Sequence, residues 1–401
     1  MDGGMAEGYT YLDWAATAPL CEEALDAMRA YLVAGPASSL HDANANSLHT
    51  LGRTAFAALE NARKTVAAAI GAARPAEVIF TGGATESDNA ALFGMAHAAV
   101  HKRSQEGRAP ERPRIVTTRL EHEAVLKCAA RLEQQGFDIA YAACDKHGFV
   151  SAESLERVMD DDTVLVSVQM ANAEVGSIQP IAELARAAHS RGALFHTDAV
   201  QALGKVPLDV SDLGVDAATF SAHKICGPKG IGALYLKART PFDPYLIGGG
   251  QESGRRSGTQ NVCAAAGFAA ACETAMRMQG EESARQREMR DRLYSLVGEM
   301  PRASATIPVE PGDERYLPNI VHVLVEGMES ETLVLRLDSM GFGVSGGSAC
   351  SSRSLEPSHV LTAIGIDADR AYGALRVSFG RYTQESDIER FALALAHCVA
   401  Q

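Results

Sequence analysis

Residues 163–198 read TVLVSVQMANAEVGSIQPIAELARAAHSRGALFHTD. Thr163–Met170 is a β-rich apolar run, Ile181–Arg191 has helical periodicity, and Leu194–Asp198 is a second β-rich run. Gly192 falls where a helix commonly ends on a left-handed residue. Strand, helix, strand is the unit from which parallel sheets are built. The same alternation extends from about residue 78 to 237. Further β-rich runs lie at Val78–Thr81, Arg114–Thr118, Phe137–Ala143, Ala218–Ser221 and Gly232–Leu236. Helical stretches at Glu86–Val100 and Ala124–Gln135 separate some of them, and Gly136 follows the second. The expectation is an α/β protein: a mostly parallel sheet with helices on both faces, binding its ligand beyond the carboxyl ends of the strands.

From about residue 260 the pattern changes. A long helical region, Val262 to about Leu296, precedes a β-rich run at Asn319–Val325, a helix at Ser330–Met340 and a Gly/Ser-rich segment at Gly341–Pro357. A run at Ala374–Phe379 and an amphipathic helix follow. This predicts a smaller α+β unit, with the first fifteen or so residues packing near it.

Composition narrows the class. The 401 residues are 46% hydrophobic and 22% charged, which excludes a disordered tail or a collagen-like repeat. The formal charge of −13 argues against direct binding to a nucleic-acid backbone. No uninterrupted apolar stretch is long enough for a membrane span, and Met1–Thr10 lacks the basic and apolar regions of a signal peptide. The expected setting is therefore cytoplasmic, with no membrane partner. The eight cysteines form no C-x-x-C pair and have no histidine at zinc-finger spacing, so no metal site is expected and most should be buried small hydrophobes.

Three segments carry candidate chemistry. In Val78-Ile79-Phe80-Thr81-Gly82-Gly83-Ala84-Thr85-Glu86-Ser87, two glycines and a hydroxyl residue open a helix. Such a turn offers backbone N–H groups to a phosphate, although it also suits an ordinary turn with Thr85 as N-cap. Leu194–Gln201 places Asp198 at the end of an apolar strand, where it either caps the next helix or meets a cation. Phe220–Gly230 sets Lys224 just after a buried strand. A lysine drawn from solvent can act as an amine nucleophile toward an aldehyde, with Ser221 and His223 available to a phosphate on the same ligand. Lys224 lies 26 residues beyond Asp198, on strand ends that a parallel sheet can bring together. Together the three supply a pyridinium partner, an aldehyde-binding amine and a phosphate cup, the needs of pyridoxal 5'-phosphate.

The motifs GATESDN at 83–89, EH at 121–122, HTDAVQ at 196–201, SAHKICGPKGIGALY at 221–235, RSGT at 256–259 and SGGSACSSRSLEPS at 345–358 add to this. With the ends of the match at Tyr11–Pro19 and Arg376–Arg381, they resemble NifS/IscS-type cysteine desulfurases, class-V aminotransferases of fold type I, over almost the whole chain. The resemblance implies a pyridoxal-phosphate-dependent transferase fold. Its large domain, 16–258, would hold a mostly parallel seven-stranded sheet. Residues 1–15 and 259–401 would form the small domain carrying a catalytic-cysteine loop, 345–357, of the longer type.

It implies removal of sulfur from L-cysteine to give L-alanine and a persulfide on Cys350. That sulfur would pass to an iron–sulfur scaffold or to a sulfur-relay acceptor for tRNA thiolation. Lys224 would hold the cofactor, Asp198 its pyridinium, and Gln201 its phenolic oxygen. His122 would stack on the ring and move protons. Ala84, Thr85, Ser221 and His223 would form the phosphate cup. Thr259 would reach the neighbouring site of a homodimer. Arg376 would bind the substrate carboxylate, with Asn172 beside it. One departure stands out: where the family usually has a second asparagine before Glu174, this chain has Ala173. Ala18 and Cys226 are lesser differences, read as packing. Alternatives are a selenocysteine lyase or other class-V enzyme, and a non-catalytic partner-binding homologue.

Overall fold

The computed structural model describes residues 8–33, 43–346 and 357–400. In chain order its strands are β1 (Thr10–Tyr11), β2 (Val78–Thr81), β3 (Arg114–Thr118), β4 (Asp138–Ala142), β5 (Thr163–Ser167) and β6 (Leu194–Asp198). They continue with β7 (Ala217–Ser221), β8 (Gly232–Leu236), β9 (Ala303–Ala305), β10 (Ile320–Val325), β11 (Phe342–Gly343) and β12 (Ala374–Ser378). A seven-stranded sheet runs in the order β2-β8-β7-β6-β5-β3-β4. β8 alone runs against the other six strands of that sheet. Apolar side chains cover both faces: Ile79, Leu92, Met95, Ile115 and Leu132 on one, Phe80, Val116, Val166, Phe195 and Phe220 on the other. Burial on two sides is why these strands read as continuous apolar runs instead of alternating ones.

The polar residues come at the strand ends. Thr81, Thr118, Ser167, Asp198 and Ser221 close β2, β3, β5, β6 and β7, so chemistry gathers along one edge of the sheet. Inside it, His196 of β6 bridges its neighbours, with Nδ1 at 2.9 Å from Ser167 Oγ and Nε2 at 3.0 Å from Thr219 Oγ1. The run expected to end at Met170 is a regular strand only to Ser167. Val168 and Met170 still donate their N–H groups to the His196 and Asp198 carbonyls.

A second, three-stranded antiparallel sheet runs β12-β10-β9. Its core includes Leu12, Met289, Leu293, Val321, Val323, Leu375, Phe379 and Phe391. The helix Val262–Gly298, about 55 Å long, serves both cores. Its first turns put Ala265, Phe268 and Cys272 against the large one, and its last put Leu293 and Val297 against the small one. At the chain's start β1 pairs in parallel with β11, and Asp13 bridges to Ser378.

The described cysteines are all free thiols. Among the described residues no helix is long and apolar enough to cross a membrane, and no group of His, Cys, Asp and Glu is arranged to hold a metal ion.

Candidate active site

Beyond Ser221 the chain makes a single tight turn, Ala222–Lys224, over the polar edge of the sheet. Lys224 there faces a cavity of about 650 Å³ whose wall also includes Gly83, His122, Asp198, Gln201 and Arg376. The lysine Nζ donates to the Ala15 and Ala16 carbonyls, at 2.6 and 2.7 Å. Gln201 Nε2 donates to the same Ala15 carbonyl at 3.0 Å, which sets the amide beside the amine.

Asp198 is 8% exposed, and its Oδ1 accepts from the Val200 N–H at 2.9 Å. The carboxylate thus caps the turn that follows β6 and also faces the cavity. Burial raises its pKa, while the charges of His122 and Lys224 pull it down. Two further carboxyls lie buried nearby. Glu121 accepts from Thr118 Oγ1 at 3.0 Å and the Gln169 N–H at 2.8 Å, and burial pushes it up to about 8. Asp88, whose Oδ1 lies 3.8 Å from His196 Nε2, is fully buried, and burial lifts this group far above the usual carboxylate range. Both are held toward the neutral form, which leaves Asp198 as the carboxylate suited to a cationic ligand.

His122 precedes the helix Glu123–Glu133 and caps it, its Nδ1 accepting from the Ala124 N–H at 3.1 Å. In the neutral ring that contact places the proton on Nε2. The anion cup is built where β2 turns into the helix Ala84–Gln105. Thr85 is not the N-cap: Gly83 is, with φ of +148°, and Ala84 and Thr85 form the first turn. The N–H groups of a first helical turn have no partner within the helix. Gly232 keeps the strand against this turn, since a Cβ there would sit 2.9 Å from the Gly83 backbone and 2.6 Å from the Phe220 carbonyl. His223 Nδ1 lies 3.1 Å from Thr17 Oγ1. Burial, helped by the charges of Lys224, Lys229 and Lys205, brings His223 down to about 4, so it enters the cup as a neutral imidazole.

On the opposite wall Arg376 is 2% exposed. Its Nη1 donates to the Ala173 carbonyl at 2.9 Å and its Nη2 to Asp13 Oδ1 at 2.8 Å, while its buried Nε has no acceptor. Asn172 lines the cavity, but its side chain also shapes the loop. It accepts from the Glu174 and Val175 N–H groups, both at 2.8 Å, and donates to the Leu120 carbonyl at 3.1 Å. Ser345 pairs with Arg376 through the backbone. Across the gap, Ser358 donates to Glu174 Oε2 at 2.6 Å, and His359 Nε2 lies 3.0 Å from the Glu121 carbonyl. Both ends of the Gly/Ser-rich segment are therefore anchored at this cavity, and Cys350 itself lies outside the described residues. Thr259 is exposed and does not line the cavity.

Sequence reasoning missed Asp13, the Ala15 and Ala16 carbonyls, Thr17 and Lys205. Backbone carbonyls carry no sequence signal, and Asp13 and Thr17 stand out only once β1 is seen beside β11. The donor set fits pyridoxal phosphate on three counts: a buried carboxylate without a cationic hydrogen-bond partner, a neighbouring amine, and a glycine turn that a single Cβ would crowd.

The class-V aminotransferase model matches residues 10–391. The chain is 41% identical to a protein of Dictyoglomus turgidum named cysteine desulfurase IscS, over 94% of this chain and 91% of that one. It is 40% identical to one of the same name from Methanosarcina thermophila, over 95% and 89%. Among solved structures, one called a NifS-like protein superposes with a TM-score of 0.86 at 34% identity, over 98% of this chain and 99% of that one. Another, described as SspA in complex with cysteine, gives 0.77 at 32% identity, over 93% and 99%.

Proposed function

This chain belongs to the class-V aminotransferase family, and from that premise we propose that it is a cysteine desulfurase. It would convert L-cysteine to L-alanine and leave the sulfur as a persulfide on Cys350. Members of the family use pyridoxal 5'-phosphate, which when bound withdraws electrons from the bonds at the substrate Cα. One observation carries the proposal: a single cavity holds a half-buried amine (Lys224), a buried carboxylate (Asp198) and a buried arginine N–H with no acceptor (Arg376).

Each role follows from chemistry on that wall. Asp198 would hold the pyridine nitrogen, and the cup of Ala84, Thr85, Ser221 and His223 would hold the phosphate. Lys224 would retain the cofactor and, when released, exchange a proton at the substrate Cα. Arg376 offers Nε to the substrate carboxylate, and the charge of its guanidinium favours that anion. His122, with its proton on Nε2, would stack on the ring and relay protons. The Cys350 thiolate attacks the substrate sulfur, the carbon–sulfur bond breaks, and the carbon takes up a proton to complete alanine. Sulfur is thus transferred with no outside oxidant.

Further parts of the proposal rest on the family. They are a homodimer in which Thr259 serves the neighbouring site, delivery of sulfur to an iron–sulfur scaffold or a sulfur-relay protein, and a cytoplasmic setting where thiols stay reduced. The domain division is proposed at 16–258 against 1–15 with 259–401.

The test uses the holoenzyme with L-cysteine. Mass spectrometry should show one added sulfur (about 32 Da) on Cys350, and with a reductant sulfide and alanine should appear in equal amounts. An unchanged rate in Cys350→Ala would refute the persulfide route.

A further inference from the structure

Lys205 has no part in the roles above. It lies seven residues beyond the end of β6, and its Nζ donates to Gln201 Oε1 at 2.7 Å. The Ala15 carbonyl can only accept, so the amide end beside it is the nitrogen and the end facing Lys205 is the oxygen. The Gln201 nitrogen must point the other way, toward the Ala15 carbonyl that also receives Lys224 Nζ. In pyridoxal phosphate the phenolic oxygen sits on the ring carbon next to the one bearing the aldehyde. A donor beside Lys224 therefore meets that oxygen when the amine meets the aldehyde.

We propose that Lys205 is a positioning residue, which orients the Gln201 amide so that its N–H faces the cofactor's phenolic oxygen and keeps that oxygen ionised. Without this contact only the Ala15 carbonyl holds the amide, and a turned amide would put its oxygen toward the phenolate, which would repel it. Lys205 and Lys224 both line a second, small cavity of about 70 Å³. Burial, and then the charge of Lys224, brings Lys205 down to about 7. The other groups acting on it are Cys226 and Arg376, and Glu282 and Arg381 stand on the wall of the small cavity.

The inference rests on the cofactor assigned above, and the experiment separates the two. The readouts are the pH midpoint of the visible absorption band of the cofactor-loaded protein and the affinity of the cofactor-free protein for pyridoxal phosphate. Lys205→Met keeps the apolar stem and removes the donor. A less stabilised phenolate holds the neighbouring proton more tightly, so the midpoint should rise by about half a unit or more. Affinity should fall about 3- to 10-fold. Lys205→Arg should restore both. Gln201→Glu keeps the acceptor for Lys205 and loses the N–H, so it should raise the midpoint too, independently of how Lys205→Met folds. In a Gln201→Leu background Lys205→Met should add little. A wild-type midpoint and affinity in Lys205→Met, or its full effect persisting in Gln201→Leu, overturns the inference alone. A wild-type protein that takes up no pyridoxal phosphate overturns the proposed function as well.

Discussion

Arg376 shows how a charge can be held and still be available. Asp13 and the Ala173 carbonyl each take one donor of its two Nη atoms, so its direction is set, while the buried Nε has no acceptor. A lysine keeps the charge but not the planar donor set. Arg376→Lys should therefore raise the KM for cysteine about 10- to 100-fold, with kcat changed less; an unchanged KM in steady-state assays would remove the arginine from substrate binding. Ala173 is the complementary case. Its backbone serves Arg376 although its side chain lacks the amide usual in the family, and the residue lines the cavity. Ala173→Asn adds a donor beside the arginine and should lower the KM about 3- to 10-fold, an ordinary gain for one hydrogen bond. A raised or unchanged KM in the same assay counts against that placement.

At the level of elements, the cup depends on β8 and the helix Ala84–Gln105 approaching closely. Gly232 opens β8 opposite Thr81 on one side and Ser221 on the other. A methyl group there would collide with the Gly83 backbone and the Phe220 carbonyl, and neither is a flexible side-chain end. Overpacking of this kind costs about 1–3 kcal/mol. Gly232→Ala should weaken pyridoxal-phosphate binding at least about tenfold by fluorescence titration, with the secondary structure retained by circular dichroism. Native affinity in this variant would mean that the cup lies elsewhere.

For the whole molecule, buried histidines and carboxyls together set the response to acid. His196 in β6 and His322 in β10 are fully buried, and burial lowers each from 6.5 to about 3. The unfolded chain binds these protons first, so stability is full above pH 6.5 and is lost as the pH falls toward the folded values. Down to pH 5 each histidine costs about 2 kcal/mol. Glu121, at about 8, and Asp88 are shifted the other way and offset much of the loss. Thermal melts should show a Tm that falls less, or rises more, from pH 6.5 to 5 in His322→Gln than in the unchanged protein; the same pH response in both would show that this ring is not neutral in the folded state. Assembly belongs to this scale too. Tyr245, Leu246 and Ile247 are exposed, Ile247 at 90%, and Tyr245 stands on the wall of a groove that Thr85 and His122 also line. The protein is expected to elute at twice its 42.4 kDa chain mass. A monomer with full activity would refute the shared-site role of Thr259.

The sequence alone determined the α/β class, because runs buried on both faces and the glycines after helices are local patterns that burial and backbone geometry impose. It also pointed to Asp198, Lys224 and the Gly82–Gly83 turn, since a charge or a glycine pair at the end of an apolar run departs from what the core requires. Only the tertiary structure decided what those residues touch. The Ala15 carbonyl beneath Lys224, the Asp13 partner of Arg376 and the Lys205–Gln201 contact join positions far apart in the chain or hidden in an ordinary turn. The reversed direction of β8, between β2 and β7, is likewise a feature of the assembled sheet. Such contacts are fixed by packing across the sheet and against the start of the chain, and periodicity records nothing of them.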